Sequence, residues 1–256
     1  MSNVSFSVIK IWNDCPFKYK LLYVDKIQGF KGSEYTAFGT ALHEACEKKL
    51  LDNSVDEQEI FRIKFDEELS TIFQNEKPKE VLVEEMKKQG LDLAPLILPE
   101  LKNKFGNFTI LNTEEELLHS LQEITKSERN FKGFIDLILK TEDGKIHIID
   151  WKTCSWGWDA QKKSDAVTSY QLTFYKYFYS LKHNVDPKDI ETHFGLLKRT
   201  AKSNKIELFR VTSGPKKVQN ALNLLNKFVN NIDKQFFPKN KLNCKNCEFN
   251  KSKECP

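Results

Sequence analysis

The sequence predicts an α/β fold: a central mixed β-sheet of about four or five strands, flanked by helices, with a helical insertion. Three observations predict it. Residues 133–153 hold two apolar, β-prone runs on either side of Glu142-Asp143-Gly144, and Asp-Gly between such runs is a strong hairpin signal. Residues 193–200 and 205–212 read as a second strand pair, joined around Lys202-Ser203-Asn204. Stretches with helical apolar spacing surround both pairs.

The elements follow in order. Residues 5–23 read as a helix with Ile9, Trp12, Phe17 and Leu21 as its buried stripe, Ser5 or Ser7 as cap, and a bend at Cys15-Pro16. Residues 38–51 read as a second helix, with His43 and Glu47 four apart on one face. Residues 56–121 are mostly charged, and their helical periodicity is broken at Pro78, Pro95 and Pro99. They read as a helical insertion, drawn approximately over 52–128, that carries no chemistry. After the hairpin, residues 164–181 form an aromatic-rich helix. Residues 215–236 form another, with Ser213 as cap and Pro215 in its first turn. A short lysine- and cysteine-rich tail, 238–256, ends the sequence.

With 256 residues, 39% of them hydrophobic, including 19 Phe and 4 Trp, the chain has material for one large domain with an insertion. No apolar run approaches the ~18 residues of a membrane span. Residues 1–10 lack the long apolar centre of a signal peptide. The expectation is a soluble, cytoplasmic protein without a membrane partner. The net charge of +4 is uneven: residues 182–256 hold 16 Lys and Arg against 7 Asp and Glu, a surplus of nine, while the rest is net −5. A basic C-terminal third suits a phosphate backbone, and it equally suits a solvated lysine-rich surface.

The hairpin carries the chemistry. Asp136 lies in its first run, and Asp150 and Lys152 lie two apart in the second, so the latter pair share a strand face. Asp150 ends the apolar run Ile146-His147-Ile148-Ile149, and a charge placed there is costly unless it is paired or binds a cation. Two carboxylates beside an ammonium can hold a divalent ion and steady developing negative charge, as phosphodiester hydrolysis requires. A buried salt bridge is the plainer reading of the same three residues. His43 sits among small residues that let its helix pack closely on a sheet, and an imidazole suits Mn²⁺ better than Mg²⁺. Gln171 and Tyr175 lie four apart on the helix after the hairpin. Tyr170, Phe174, Tyr177 and Phe178 of that helix read as core.

In their order, Gly39-Thr40-Ala41-Leu42-His43, Gly133-x-x-Asp136, Asp150-Trp151-Lys152 and Gln171-x-x-x-Tyr175 resemble the PD-(D/E)XK nuclease superfamily, most of all its RecB-like and Cas4-like exonuclease branch. The resemblance spans most of the chain outside the insertion and implies a restriction-endonuclease-like core. It implies His43, Asp136, Asp150 and the Trp151 carbonyl as ligands of Mg²⁺ or Mn²⁺. Lys152 would activate the attacking water and stabilise the transition state, and Gln171 and Tyr175 would position a DNA strand. One further glutamate, among Glu114, Glu115 and Glu116, is implied on the strand before Gly133.

Of the six cysteines, Cys244, Cys247 and Cys255 close the chain and Cys15 lies near its start. In an intracellular chain, metal binding is the better default for such a set, and spacing alone leaves zinc and iron–sulfur open. The resemblance implies a structural [4Fe–4S] cluster on Cys15, Cys244, Cys247 and Cys255. Cys46 and Cys154 remain as packing residues.

The function expected is metal-dependent DNA exonuclease activity, on single-stranded ends, in recombination, repair, phage DNA processing or CRISPR adaptation. No G-x-x-x-x-G-K-[ST] loop occurs, so a helicase would be a separate partner, as would a recombination or CRISPR-adaptation protein. The alternatives are a non-catalytic DNA-binding or scaffold module that keeps the fold, and an interaction protein stapled by zinc.

Overall fold

The computed structural model describes residues 3–74 and 77–256. In chain order they form strand β1 (Asn3–Val4), helices α1 (Phe6–Asp14), α2 (Pro16–Tyr19), α3 (Glu34–Leu51), α4 (Glu57–Ile72), α5 (Glu80–Leu93) and α6 (Ile97–Phe105), strand β2 (Phe108–Ser120) and helix α7 (Gln122–Thr125). Strands β3 (Asn130–Thr141) and β4 (Ile146–Cys154) follow, then helices α8 (Ala160–Ser164) and α9 (Ala166–His183), strands β5 (Ile190–Lys198) and β6 (Ile206–Val211), and helix α10 (Pro215–Asp233). The chain divides into two compact units. One comprises the residues up to Lys31 with Glu116–Gly133 and Ser213–Pro256; the other comprises Gly32–Glu115 and Phe134–Thr212.

The second unit holds the expected hairpin. β3 and β4 pair antiparallel, with Leu137 opposite Ile149 and Leu139 opposite His147. Gly144, at φ +83°, makes the turn between them, a conformation glycine adopts without steric cost. β4 and β5 pair in parallel, which sets Asp150 beside Phe194 and Lys152 beside Leu196. β5 and β6 close the order antiparallel, as the second predicted pair. The sheet is therefore mixed, as expected.

Among the described residues it has six strands rather than four or five, because β1 and β2 both pair with β3. β1 is only two residues long. β2 corrects a larger misreading: residues 108–120 lie inside the stretch expected to be a helical insertion, yet they form a strand of 13 residues. Its run Glu114-Glu115-Glu116 has low strand propensity, and pairing with β3 overrides that preference. The insertion's helical part is α4 to α6, with Pro95 in the turn between α5 and α6.

α3 packs on the sheet through small residues. Ala37, Ala41 and Ala45 are buried in one core with Leu137, Ile149, Trp151 and Leu208, and Phe38, Phe61, Phe65 and Met86 extend that core into α4 and α5. The Phe38 and Phe61 rings meet edge-on at 5.3 Å, and Phe61 stacks on Phe65 at 5.5 Å. Full burial of such a ring contributes roughly 1.5–3 kcal/mol. Gly195 makes room for Trp151: a Cβ there would stand 2.2 Å from the indole Cε3.

In the first unit, Ser5 caps α1 by accepting from Val8 N, and Ile9 and Trp12 are buried as the sequence predicts. Cys15 is extended, which ends α1, and Pro16 opens α2. The Trp12 and Phe228 rings meet edge-on at 5.6 Å, joining α1 to α10. The N-cap of α10 is Gly214 rather than Ser213, with Pro215 at the first helical position. The tail is fastened to the N-terminal helices. Phe17 N donates to Pro238 O at 3.2 Å, the Asn240 and Asn243 amides donate to Asp14 O at 2.8 and 2.6 Å, and Lys18 pairs with Glu248 at 2.6 Å. No helix among the described residues is long and apolar enough to cross a membrane.

Candidate active site

Strand alternation puts Asp150 and Lys152 on one face of β4. Lys152 Nζ lies 2.6 Å from Asp150 Oδ2 as a close ion pair whose alignment falls short of a hydrogen bond. Asp136 reaches in from β3 and accepts from Trp151 N through Oδ2 at 2.7 Å. α3 brings His43, whose Nδ1 is 3.7 Å from Asp136 Oδ2. α9 supplies Gln171, whose amide donates to Asp150 Oδ1 at 2.8 Å and to the Tyr175 hydroxyl at 3.1 Å. The six side chains predicted from four separated sequence motifs thus converge within one unit. α9 is oriented for this by Asp165, which caps it by accepting from Thr168 N.

The electrostatics are those of a crowded anionic site. Burial, then the neighbouring Asp150, holds the Asp136 carboxyl well above the usual carboxylate range. Burial also raises Asp150, against the pull of Lys152. For Lys152, burial alone would favour the neutral amine, but Asp150 and Asp136 outweigh it and keep the ammonium. Burial first, and Lys152 second, lower His43 to about 4, against support for its charged form from the Trp151 carbonyl. At neutral pH His43 is a neutral imidazole, the form that ligates metals. Tyr175 is pushed up by burial and stays a phenol.

Among the three candidate glutamates of β2 the structure separates the roles. Glu115 is buried and taken by Lys182, Asn112 and His183, the last at 2.9 Å. Glu116 pairs with Lys132 at 3.0 Å. Glu114 lies in the field of Asp136 and Asp150, and burial followed by Glu47 and Asp150 raises its carboxyl. Its backbone is left-handed, φ 49°, a strained geometry for a residue other than glycine. Glu47, one turn after His43 on α3, faces the same group, with Thr113 Oγ1 at 3.5 Å from its Oε1. The i, i+4 spacing of His43 and Glu47 was the sequence signal for it; no pattern in the sequence distinguishes Glu114 from its two neighbours.

The donor set suits a divalent cation. Several carboxylates and the neutral His43 imidazole face one another, with the Lys152 ammonium among them. Asp150 Oδ2 is buried without a hydrogen bond. Repulsion of this kind is relieved by a cation between the carboxylates.

The four cysteines Cys15, Cys244, Cys247 and Cys255 line one cavity of about 340 Å³ in the first unit. All six cysteines are free thiols. No three of their sulfurs, among the described residues, lie close enough to share a single ion. Cys46 and Cys154 belong to the second unit, where burial raises both thiols.

A family model described as the PD-(D/E)XK nuclease superfamily matches residues 3–252. No curated protein matches the sequence. Among solved structures, a presumed exonuclease from Eubacterium rectale is 12% identical, with 97% of this chain and 87% of that one covered and a TM-score of 0.60. A likeness at that identity speaks for the fold alone. The protein SSO0001 is 18% identical over 91% of each chain, and its TM-score of 0.39 is too low to bear on anything further. The family match runs across every element that delivers a residue to the Asp136–Asp150–Lys152 site, and the chain belongs to the PD-(D/E)XK nuclease superfamily.

Proposed function

We propose that this nuclease is a metal-dependent deoxyribonuclease that degrades single-stranded DNA from an end. The observation that carries the reading is the convergence of His43, Asp136, Asp150, Lys152 and Gln171 in one group. His43, Asp136 and Asp150 would hold Mg²⁺ or Mn²⁺, with the Trp151 carbonyl, and Glu114 completes the acidic side. When bound, the cation polarises the scissile phosphate and makes water nucleophilic near neutral pH.

The protein's own groups supply the rest. The Lys152 ammonium orients the attacking water and stands where negative charge grows on the phosphate. Asp150 fixes that ammonium, and Gln171 fixes Asp150 through Oδ1, so the chain Tyr175–Gln171–Asp150–Lys152 holds one geometry. Intact Asp136, Asp150 and Lys152 speak against a non-catalytic scaffold. Trp156 favours a single-stranded substrate: it is 75% exposed, four residues beyond Lys152, and an exposed indole can stack on an unpaired base. Service in recombination, repair, phage DNA processing or CRISPR adaptation, alongside a helicase or adaptation partner in the cytoplasm, fits this activity.

For the cysteines we favour a structural [4Fe–4S] cluster held by Cys15, Cys244, Cys247 and Cys255. Four thiols around a cavity, rather than at one point, suit a multi-atom cluster better than a single Zn²⁺. It would add folding free energy where the tail meets α1 and α2.

The test uses anaerobically purified protein, end-labelled single-stranded and duplex DNA, and Mn²⁺, beside Lys152→Ala made identically. Cleavage by the wild type alone, faster on single strands, supports the reading, and the product ladder gives the end attacked. Equal cleavage by both proteins, or DNA binding without cleavage by either, sinks it. Iron and sulfide assays against zinc decide the staple.

A further inference from the structure

The face of β4 opposite Asp150 carries a second constellation. His147, near the start of β4, lies beside Glu191 of β5 in the parallel register, and His193 follows two residues later on the same face. Their donor atoms converge. His147 Nδ1 is 3.1 Å from His193 Nε2, and Glu191 Oε2 is 3.8 Å from each of those nitrogens. Both rings are buried, at 7% and 2% exposure.

The hydrogen-bond accounting is incomplete in a particular way. Two neutral imidazoles can share one proton across the 3.1 Å gap. The carboxylate at 3.8 Å is too far to accept from either ring. His193 Nδ1 is buried without a partner. Of the outer atoms, those of His147 and Glu191 are held, whereas His193 Nδ1 is not. His147 Nε2 is 3.1 Å from Thr141 Oγ1, Glu191 Oε1 is 3.0 Å from Arg210 Nη2, and the Phe105 ring of α6 packs on both imidazoles at 4.7 and 5.2 Å.

We propose that His147, Glu191 and His193 form a second metal site, for a zinc-class divalent cation, that clamps the starts of the parallel strands β4 and β5. A tetrahedral ion with nitrogen and oxygen ligands at ~2.0–2.1 Å sets neighbouring donors about 3.3 Å apart, and the observed spacings bracket that value. Two imidazoles and one carboxylate are a donor set zinc accepts, with a fourth position left for water. Thr141 on His147 and Arg210 on Glu191 act as the outer partners that orient such ligands. Burial is the largest influence on both rings, keeping them neutral, His193 down to about 3, so no proton competes for the lone pairs at neutral pH.

The experiment titrates metal-stripped Asp136→Asn/Asp150→Asn protein, which lacks the first site's carboxylates, with Co²⁺ and follows the visible spectrum. Nitrogen and carboxylate ligands give weak tetrahedral bands. Thiolates add an intense sulfur-to-cobalt band, so binding at the cysteines is recognised separately. The expected result is a tetrahedral spectrum that saturates without the sulfur band. Its affinity should fall by more than ~100-fold in His193→Asn and Glu191→Gln, and by ~10–100-fold in Thr141→Val, whose side chain only orients a ligand. Glu191 is part-exposed, so its variant decides the matter should His193→Asn fail to fold. An unchanged spectrum and affinity in folded Glu191→Gln, or a sulfur band alone, would overturn the site.

Discussion

The two faces of β4 meet the same problem and solve it differently. On one face burial works against Asp150, and burial together with Asp150 works against Asp136. On the other, burial works against the charged forms of His147 and His193. A carboxyl that gives way to burial takes up a proton and loses its ability to bind a cation. An imidazole that gives way loses a proton and gains that ability. The buried carboxylates therefore need a resident countercharge, which Lys152 supplies, while the two buried imidazoles need none. One strand can carry both because side chains alternate, so neither charge set intrudes on the other.

The largest expected effect lies on the carboxylate face. Lys152→Ala should lower single-turnover cleavage by ~10³-fold, the scale of losing one pre-placed group that meets developing charge. Asp136→Asn should be as inactive, yet its metal-free form should melt no lower than the wild type. The amide still offers an oxygen to Trp151 N, the Asp150–Lys152 pair survives, and a carboxyl whose ionisation burial and Asp150 oppose gives way to a neutral group. Thermal melts in EDTA check this. A clear drop in melting temperature would mean that Asp136 stabilises the fold and that the contrast between the faces is overdrawn.

The second effect belongs to the imidazole face and is read by pH. Unfolded, a histidine titrates near 6.5; folded, His193 resists until about 3. Below 6.5 the unfolded chain holds the extra proton, so stability is fully present above that pH and falls as pH drops toward 3. The slope is about 1.4 kcal/mol per unit for this one group. Urea midpoints in EDTA at pH 7, 6 and 5 should fall more steeply for the wild type than for His193→Asn. Carboxylates titrate in both proteins and cancel in the difference. Parallel curves would show that His193 is protonated inside the fold.

These two faces were not equally legible in the sequence. Asp150 and Lys152 lie two apart on a strand that a hairpin turn announces, whereas His43 and Gln171 joined them through the resemblance that four motifs carry in their order. His147, Glu191 and His193 become neighbours only through the parallel register of β4 and β5, which the sequence does not print. A similar reason left Glu114 as one of three candidates: pairing with β3 makes residues 108–120 a strand and sorts the three glutamates, although their charge pattern resembles the helices before them. The hairpins and the long helices α3, α9 and α10 were legible because alternation and turn chemistry are local. β1 and β2 were not, because a partner strand makes them what they are.

A third, smaller effect tests the close packing between the faces. Gly195→Ala would set a Cβ 2.2 Å from Trp151 Cε3, in a core that cannot give way cheaply, and should cost about 1–3 kcal/mol of stability. Gly39→Ala meets the Thr153 side chain, nearest at Oγ1 at 3.2 Å, and should cost less. Chemical denaturation ranks the pair; the reverse order would mean that α3, rather than Trp151, is the tighter contact on β4.

The smallest effect isolates how Asp150 is held. Gln171 Nε2 carries two hydrogens, one toward Asp150 Oδ1 and one toward the Tyr175 hydroxyl. Tyr175→Phe removes the second acceptor but keeps the ring in its buried place, so Gln171 stays near Asp150 with one bond intact. The loss should be about 1 kcal/mol, roughly fivefold in the cleavage step. Gln171→Leu strips Asp150 Oδ1 of its donor as well and should cost several times more. If Tyr175→Phe instead weakens DNA binding while leaving single-turnover cleavage intact, the hydroxyl touches the strand itself. Its bond to Gln171 is then a resting contact that the substrate displaces, and Gln171 alone carries the orientation of Asp150.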